Sequence, residues 1–522
     1  MSKELIYYHK WEKKQYKQFF QSIHELLNIR SLQFYMPFFS LYFYVHNKPQ
    51  STRKLDLKRT FYIQKIKEIT KERYYNSNLF LLGDLYNSDK NRVEEREIFC
   101  KTIPIVDAMH CINNNYNFIH RNNYHLPSAY NFNTFKKIND MNNTAYIDVL
   151  CSYLFGRLTY NKINPSFPLF YGSVNGIGNY KHDITEEYHD IKIDKCFNET
   201  INKGFSLDMY ISDDDEQDDE QDDEQDDDEQ DDDEQDDDEQ DDESVNDDNE
   251  DEDDEQDDIE SIPRSSLSVC DNSSDDNSSE DDQYDDDYIA NIKDIPIQLL
   301  FIEKLEGTLE DLLDDDITEE ILLSCLFQIS FALVYLQKHF QFTHNDLHIN
   351  NVMYTETDTK YLYYKYNNIY YRVPTYGKVF KIIDFGRAIF TYRNKTFMND
   401  VFTKHGEAGG QYTYPSQVDF IKNKSERIIQ PNYHFDLCRL SMTILEELNK
   451  DLYSDKTIEF LKKLCLNHVN ESFCDMQDNF KLYIDIASDA CNALPREIIT
   501  NEIFKIYRIK KKLFPRKSFY TL

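Results

Sequence analysis

Apolar residues recur along the chain at regular intervals, and the interval predicts which segments are helical. After Thr318, five aliphatic side chains follow at helical spacing and form a single stripe: Leu322, Leu326, Ile329, Leu333 and Leu336. Thr318 can cap the start of a helix, and the acids Glu319 and Glu320 suit its first turn. We therefore expect a long helix with one apolar face in this segment.

Shorter apolar runs predict strands. Residues 299–302 are apolar and lead into a polar turn that contains Gly307, and residues 379–383 form a second run that ends at Asp384. Residues 361–371 are rich in tyrosine on both sides of Asn367-Asn368, which predicts a hairpin. Residues 1–75 mix aromatic and basic stretches that match no motif, so we leave this region unassigned.

The charge of the chain is concentrated in one segment. The chain has 522 residues and a formal net charge of -39, but residues 211–287 alone carry 45 acidic residues and a single basic one, Arg264. The remaining residues have a net charge of +5 and, with a hydrophobic content of 40% overall, can fill a large core. The acidic segment repeats Asp-Asp-Glu-Gln units and is expected to be disordered. Basic proteins are its candidate partners, with neutral expansion of a repeat as the alternative.

Cysteine spacing and terminal composition exclude several classes of protein. The ten cysteines form no Cys-x-x-Cys pair and have no regular spacing with histidine, so neither a zinc site nor a disulfide framework is predicted. Residues 1–14 lack the apolar core of a signal peptide. We find no uninterrupted apolar run of transmembrane length and expect no membrane partner.

Two motifs suggest phosphoryl transfer. Residues 341–354 contain His344, Asp346 and Asn351 in the pattern His-x-Asp-x-x-x-x-Asn, and Asp384-Phe385-Gly386 follows the apolar run at 379–383. A transferred phosphoryl group carries several negative charges, which metal ions and fixed donors neutralise. Carboxylate and amide oxygens are hard ligands that suit Mg²⁺. We expect Asp346 to orient an attacking hydroxyl, and Asn351 and Asp384 to hold the metal.

These motifs, together with residues 434–440, resemble the protein kinase superfamily, and most closely the serine/threonine kinases of giant DNA viruses. The resemblance implies an α+β, two-lobed protein kinase-like fold, with a divergent β-rich N-lobe over residues 76–305 and a mostly helical C-lobe over residues 306–522. The acidic insert at 211–287 would loop out of the N-lobe. Asp436 would brace the backbone of the catalytic loop, although an ordinary helix N-cap is the alternative. The protein would be soluble and intracellular, in the host cytoplasm or packaged in the virion.

The resemblance also implies a nucleotide site for ATP with Mg²⁺. Residues 98–101 resemble the third strand of a kinase, so Lys101 would contact the phosphates, with a solvent-facing lysine as the alternative. Residues 146–158 resemble helix C, in which Asp148 is the one acid that could pair with Lys101. Residues 299–307 resemble the fifth strand and the hinge, where the backbones of Glu303 and Leu305 would bind adenine.

The chain departs from the family pattern in the segment that should hold the phosphates. Its first glycine is Gly83, so no Gly-x-Gly-x-x-Gly loop precedes the second strand of the small lobe. Gly172, Gly176 and Gly178 follow a segment that resembles the passage from helix C into the fourth strand, and we interpret them as a turn.

Two further departures lie in the catalytic loop. Asn345 replaces an arginine that pairs with a phosphorylated activation loop in most protein kinases, and His348 replaces a phosphate-contacting lysine. We place His344 and His348 with Asp346 in the catalytic set. The favoured function is a protein serine/threonine kinase with a protein substrate and no direct binding of nucleic acid. A pseudokinase scaffold that recruits basic partners and a small-molecule kinase are the alternatives.

Overall fold

The computed structural model describes residues 6–42, 54–73, 75–116, 126–128, 136–210, 287–404, 406–413, 429–476, 480–516 and 518–522. The acidic insert predicted at 211–287 lies outside these ranges, apart from Asp287, which is the first residue of a strand. Within the described residues the fold is a mixture of helices and antiparallel sheets, so the predicted α+β class is confirmed.

The strands are named β1 to β18 in chain order. Those before the acidic insert are β1 (Tyr8–Lys10), β2 (Arg30–Gln33), β3 (Leu55–Leu57), β4 (Phe61–Glu72), β5 (Leu79–Asn87), β6 (Arg92–Pro104), β7 (Phe170–Asp183) and β8 (Phe205–Tyr210). Those after it are β9 (Asp287–Glu303), β10 (Gly307–Thr308), β11 (Val352–Glu356), β12 (Tyr361–Tyr366), β13 (Ile369–Pro374), β14 (Lys378–Ile382), β15 (Ile389–Tyr392), β16 (Lys395–Met398), β17 (Arg508–Ile509) and β18 (Tyr520–Thr521).

The α-helices are likewise named in chain order. The first seven are α1 (Lys13–Leu27), α2 (Phe39–Tyr42), α3 (Ala108–Ile112), α4 (Lys136–Asn139), α5 (Thr144–Tyr160), α6 (Thr185–Ile191) and α7 (Lys195–Thr200). The others are α8 (Leu309–Asp314), α9 (Glu319–Phe340), α10 (Phe435–Glu447), α11 (Asp455–Leu464), α12 (Phe480–Asp489) and α13 (Pro495–Ile498).

The largest sheet has the strand order β2-β7-β9-β6-β5-β4, with β8 paired to β9 beside it. All of its ladders are antiparallel. Helix α5 packs on β7 and β9, and most of its residues are buried, as expected for a helix whose sequence is apolar nearly all round. Helix α1 packs against β4, so part of the region left unassigned by the sequence supports this sheet.

The second half of the chain is built around α9. Its apolar stripe is buried as predicted, and Thr318 occupies the N-cap position, although its side chain makes no capping hydrogen bond. Among the helices that the structure describes, α9 is the one with the length and hydropathy of a membrane span, which the sequence analysis did not anticipate, and 83% of that apolar window is buried inside the protein. Buried core helices share this property with membrane spans.

The strands between α9 and α10 belong to three small sheets. Strands β10, β11 and β14 form one sheet, and β15 pairs with β16. The predicted hairpin is confirmed, because β12 and β13 pair with Tyr366 opposite Ile369. Two short C-terminal strands complete its sheet, in the order β17-β13-β12-β18.

The interpretation of the glycine cluster as a turn is wrong. Gly172, Gly176 and Gly178 all lie within β7, and β2 runs beside that strand. A Cβ atom at Gly176 would collide with Cγ2 of Ile29, and one at Gly178 would lie 3.0 Å from Cγ1 of the same residue. Gly176 and Gly178 therefore allow the segment around β2 to approach the strand closely.

Candidate active site

The loop between α9 and β11 carries His344, Asp346 and Asn351, and a buried carboxylate holds its backbone. Asp436 accepts hydrogen bonds from the backbone N–H of His344, at 3.0 Å to each carboxylate oxygen, and from that of Asn345, also at 3.0 Å. The N-cap of α10 is His434, so Asp436 lies in the first turn and the N-cap alternative is wrong. Nε2 of His344 lies 2.8 Å from the carbonyl oxygen of Ile383, which ties the loop to the segment before Asp384.

The amide of Asn351 has a defined orientation. Its Nδ2 donates to the carbonyl oxygen of Asp346 at 2.7 Å and lies 2.9 Å from Nε2 of His348. Because Nδ2 is the donor, Nε2 of His348 is the acceptor and the neutral ring carries its proton on Nδ1. Burial lowers the pKa of His348, which favours this neutral form. The amide oxygen of Asn351 accepts no hydrogen bond from the described residues, so it is available to a ligand.

Lys101 and two carboxylates form an ionic cluster at the junction of three elements. Lys101 lies on β6, and its Nζ is 2.8 Å from Oδ2 of Asp148 on α5 and 2.7 Å from Oδ1 of Asp384, two residues after β14. The expected pair of Lys101 and Asp148 is therefore present. The other oxygen of Asp148 accepts the backbone N–H of Phe385 at 3.2 Å. This carboxylate thus joins the strand of Lys101 to the Asp-Phe-Gly segment.

The two carboxylates differ in their electrostatic surroundings. Burial raises the pKa of Asp148, an effect that exceeds the opposing influence of the Lys101 ammonium, and the charge of Asp384 adds to it. Burial would also raise the pKa of Asp384, but the Lys101 ammonium and the backbone N–H of Gly386 together outweigh it and hold this pKa at about 2. Asp384 is consequently ionised at neutral pH, and Asp148 is the carboxylate of the two that binds a proton more readily.

A cavity of about 350 Å³ opens beside this cluster, within the size range of small-molecule sites. It contains five of the residues predicted from the sequence: Lys101, Asp148, Glu303, Leu305 and Asp384. His344, Asp346, His348 and Asn351 do not line it. The backbone N–H of Ile383 donates to the carbonyl oxygen of Asn351 at 3.1 Å, which brings the loop of Asp346 and Asn351 next to Asp384 at one end of the cavity.

Glu303 makes contacts with both its backbone and its side chain. Its backbone N–H already donates to the carbonyl oxygen of Leu169 at 2.9 Å, so it is not available to a base. Its side chain accepts from Nζ of Lys381 at 2.7 Å and from the N–H of Leu169 at 2.9 Å. Glu303 therefore joins the end of β9 to β14 and to the segment before β7. Leu305 is buried and lines the cavity.

The sequence analysis missed several residues of this site. Lys381 is only 3% exposed and lies within the apolar run at 379–383, where a buried charge requires a partner. This requirement could have identified Lys381 from the sequence alone. Glu310 and Asn350 also line the cavity, with Nδ2 of Asn350 2.8 Å from Oε1 of Glu310, and no sequence pattern pointed to them.

Asn345 lies in a buried polar contact instead of facing a charged group. Its Oδ1 accepts from the hydroxyl of Tyr412 at 2.7 Å, and its Nδ2 donates to the carbonyl oxygen of Arg387 at 2.9 Å. Both Asn345 and Tyr412 are fully buried. A neutral network thus connects the loop between α9 and β11 to the segment that follows Asp-Phe-Gly.

Two residues of this site offer oxygen ligands that suit Mg²⁺ when phosphate and water supply the remaining ligands. In the described part of the chain, no group of three or more His, Cys, Asp or Glu side chains could hold a metal ion by itself. Asp384 offers a carboxylate, and Asn351 offers an amide oxygen that accepts no hydrogen bond from the described residues. Mg²⁺ is commonly bound by one or two such groups, with phosphate and water oxygens completing the shell. These two residues fit that pattern.

The chain matches no protein-family model, and a search of curated proteins finds no significant match.

Proposed function

We propose that the chain is an ATP-dependent protein kinase that transfers the γ-phosphate to a serine or threonine hydroxyl, with a two-lobed protein kinase-like fold. The observation that carries the proposal is the cluster of Lys101, Asp148 and Asp384 at the end of a cavity, with the loop of Asp346 and Asn351 attached beside it. Phosphoryl transfer depends on positioning and on charge stabilisation, and this cluster supplies fixed charges of both signs.

The order of elements supports the proposed fold. Strand β6 would be the third strand of a kinase small lobe, α5 helix C, β7 the fourth strand and β9 the fifth. Strands β6 and β7 both pair with β9, and the cavity lies at the end of β9. The residues after β9 would be the hinge, and α9 the long helix that precedes the catalytic loop.

Described contacts support the proposed roles. Asp346 would orient the acceptor hydroxyl and accept the proton of that hydroxyl. The hydrogen bond from Asn351 to the carbonyl oxygen of Asp346 would hold the backbone at this residue in place. Asp384 and Asn351 would hold Mg²⁺, which when bound supplies positive charge to the phosphates. Lys101 would exchange its contact with Asp384 for a phosphate oxygen and remain oriented by Asp148.

A labelling assay tests this function. Purified wild-type protein is incubated with γ-labelled ATP, Mg²⁺ and a mixture of protein acceptors, beside Asp346→Ala and Asp384→Ala variants. We expect labelled acceptor from the wild type and a loss of at least about a hundredfold in both variants, because each removes a group needed in the transition state. Asp358→Ala is the matched control, since Asp358 is an exposed aspartate in the turn after β11. Unchanged turnover in a folded Asp384→Ala protein would refute the mechanism.

A pseudokinase scaffold is the second candidate, favoured by the absence of glycine from residues 73–78 between β4 and β5. Such a protein would use its fold and the acidic insert to recruit basic proteins without turnover. Thermal unfolding with and without Mg-ATP separates the two functions: a raised midpoint together with labelled product supports the kinase, and no shift supports the scaffold.

A further inference from the structure

Side chains from the turn between β4 and β5 line the candidate nucleotide cavity. Arg73, Tyr75 and Asn78 line the cavity together with Lys101 and Asp384. A glycine-rich loop approaches phosphates closely with its backbone, and this turn has no glycine to permit that approach. Any contact that it makes with phosphate therefore depends on its side chains.

The described part of this turn is fixed to neighbouring strands. The backbone N–H of Thr102, next to Lys101 on β6, donates to Oδ1 of Asn78 at 3.1 Å. The backbone N–H of Lys181 on β7 donates to Oγ of Ser77 at 2.7 Å. These bonds hold the turn in a set position relative to the strand that carries Lys101.

Among the described residues around the cavity, one cation has no acidic partner. Of the lining residues, Arg73 and Lys101 are positively charged. Lys101 is compensated by two carboxylates, whereas Arg73 forms no ion pair with any residue that the structure describes. The lining carboxylates number four: Asp148, Glu303, Glu310 and Asp384. A polyphosphate entering this acidic cavity needs an added positive group, and Arg73 is the uncompensated one.

Aromatic contacts orient the Arg73 guanidinium. Its Nη1 donates to the hydroxyl of Tyr75 at 2.6 Å, and its central carbon lies 5.6 Å from the ring centre of Tyr75 and 5.7 Å from that of Phe80. These contacts restrain the guanidinium group and leave its other N–H groups for a ligand. The planar N–H fork matches two oxygens of a phosphate.

We propose that Arg73 binds the phosphate groups of the nucleotide, so that an arginine side chain held by Tyr75 replaces the backbone amides of a glycine-rich loop. This inference rests on the proposed nucleotide site. It assigns the role of the missing glycine-rich loop to one identified residue.

Calorimetric titration with adenosine, AMP, ADP and Mg-ATP tests the assignment in wild type, Arg73→Gln and Arg73→Lys. We expect Arg73→Gln to weaken Mg-ATP binding about tenfold to a hundredfold, the scale of a charge-assisted contact. Adenosine affinity should stay within about twofold, because adenosine has no phosphate. Arg73→Lys should recover part of the loss, since it restores the charge without the fork.

Arg92→Gln is the matched control, because Arg92 pairs with Glu94 at the start of β6, and neither residue lines the cavity. Thermal unfolding of each variant checks that it is folded. An equal loss of adenosine and Mg-ATP affinity in Arg73→Gln would mean that Arg73 only packs the turn, and unchanged affinity for every ligand would also overturn the inference. If wild type binds no nucleotide, both this inference and the proposed function fail. Labelling activity that survives in Arg73→Gln with unchanged Mg-ATP affinity defeats the inference alone.

Discussion

Asp436 is a buried residue on which the geometry of the loop between α9 and β11 depends. Replacing it with Ala leaves the N–H groups of His344 and Asn345 without an acceptor in the protein interior. We expect Asp436→Ala to lower the free energy of unfolding by about 2–4 kcal/mol, because each unsatisfied buried donor has a substantial cost. Urea denaturation followed by circular dichroism measures this change.

Asp436→Asn is the graded comparison for that measurement. The amide keeps one oxygen that accepts from the loop, but its NH₂ group cannot accept, so we expect a smaller loss of stability than in the Ala variant. A free energy of unfolding for Asp436→Ala within about 0.5 kcal/mol of wild type, the scale of ordinary surface changes, would show that the carboxylate does not hold the loop.

Cys474 has an unusual chemical environment among the described cysteines. It is exposed, and a hydrogen bond from the buried thiol of Cys465 lowers its pKa to about 7. The thiolate is the reactive form, so the alkylation rate of Cys474 should rise steeply between about pH 6 and 8. An ordinary cysteine, with a pKa near 8.5, reaches the same thiolate fraction only at a higher pH. Pulsed iodoacetamide labelling with mass spectrometry measures the profile.

The exposed Cys196 is the internal reference for this labelling. Cys465→Ala removes the hydrogen-bond donor and should shift the Cys474 profile to higher pH by about one unit or more. If Cys474 and Cys196 follow the same profile in the wild type, the hydrogen bond has no effect on reactivity.

The site residues differ in how far the sequence could identify them. The pair of Lys101 and Asp148 was predictable because α5 contains one acid that could reach the lysine. Asp436 was predictable from the resemblance. The cavity position of Arg73 was not, because it depends on how the turn after β4 lies against β6, which no local pattern encodes.

At the scale of elements, long periodic segments were predictable and irregular ones were not. Helix α9 and the β12–β13 hairpin lie where their patterns place them. We could not assign β4 from the sequence, because its register with β5 shifts three times and the shifts break the alternation of buried and exposed residues. The glycines of β7 were misread because the residue that approaches Gly176, Ile29, is distant in sequence.

The sheet around the hairpin illustrates the same limit. Strands β17 and β18 have two residues each, too short for a periodic pattern, yet they extend the β12–β13 sheet on both sides. The ring of Tyr520 lies 5.3 Å from that of Tyr364, and the backbone N–H of Leu522 donates to the carbonyl oxygen of Lys365 at 2.9 Å. The tyrosines of the hairpin are thus used in packing against the C-terminal segment.

At the scale of the whole molecule, the strands that flank the acidic insert bring its ends together. Tyr210, the last residue of β8, is the cross-strand partner of Asp287, the first residue of β9. Cross-strand partners have Cα atoms about 4.5–5.5 Å apart, a gap that a two-residue turn can close. The described fold therefore does not require the intervening chain to connect these strands.

We expect replacement of residues 211–286 by Asn-Gly to preserve the fold. The change alters the formal charge from -39 to +4. Closing a shorter loop costs less entropy, so the free energy of unfolding should stay the same or rise by up to about 3 kcal/mol. Thermal unfolding and the labelling assay measure stability and turnover. A lower unfolding midpoint would show that the insert contributes to the folded structure.

A third protein separates the charge of the insert from its length. In this control, residues 211–286 are replaced by an uncharged Gly/Ser linker of the same length, which restores the closure cost without the carboxylates. If the insert recruits basic proteins, binding to a basic protein such as a histone at low salt should be strong in wild type and weak in both replacements, and it should fall steeply with added salt in wild type. Equal binding by all three proteins would instead assign recruitment to the folded part, whose own charge is slightly positive and gives basic partners no electrostatic attraction.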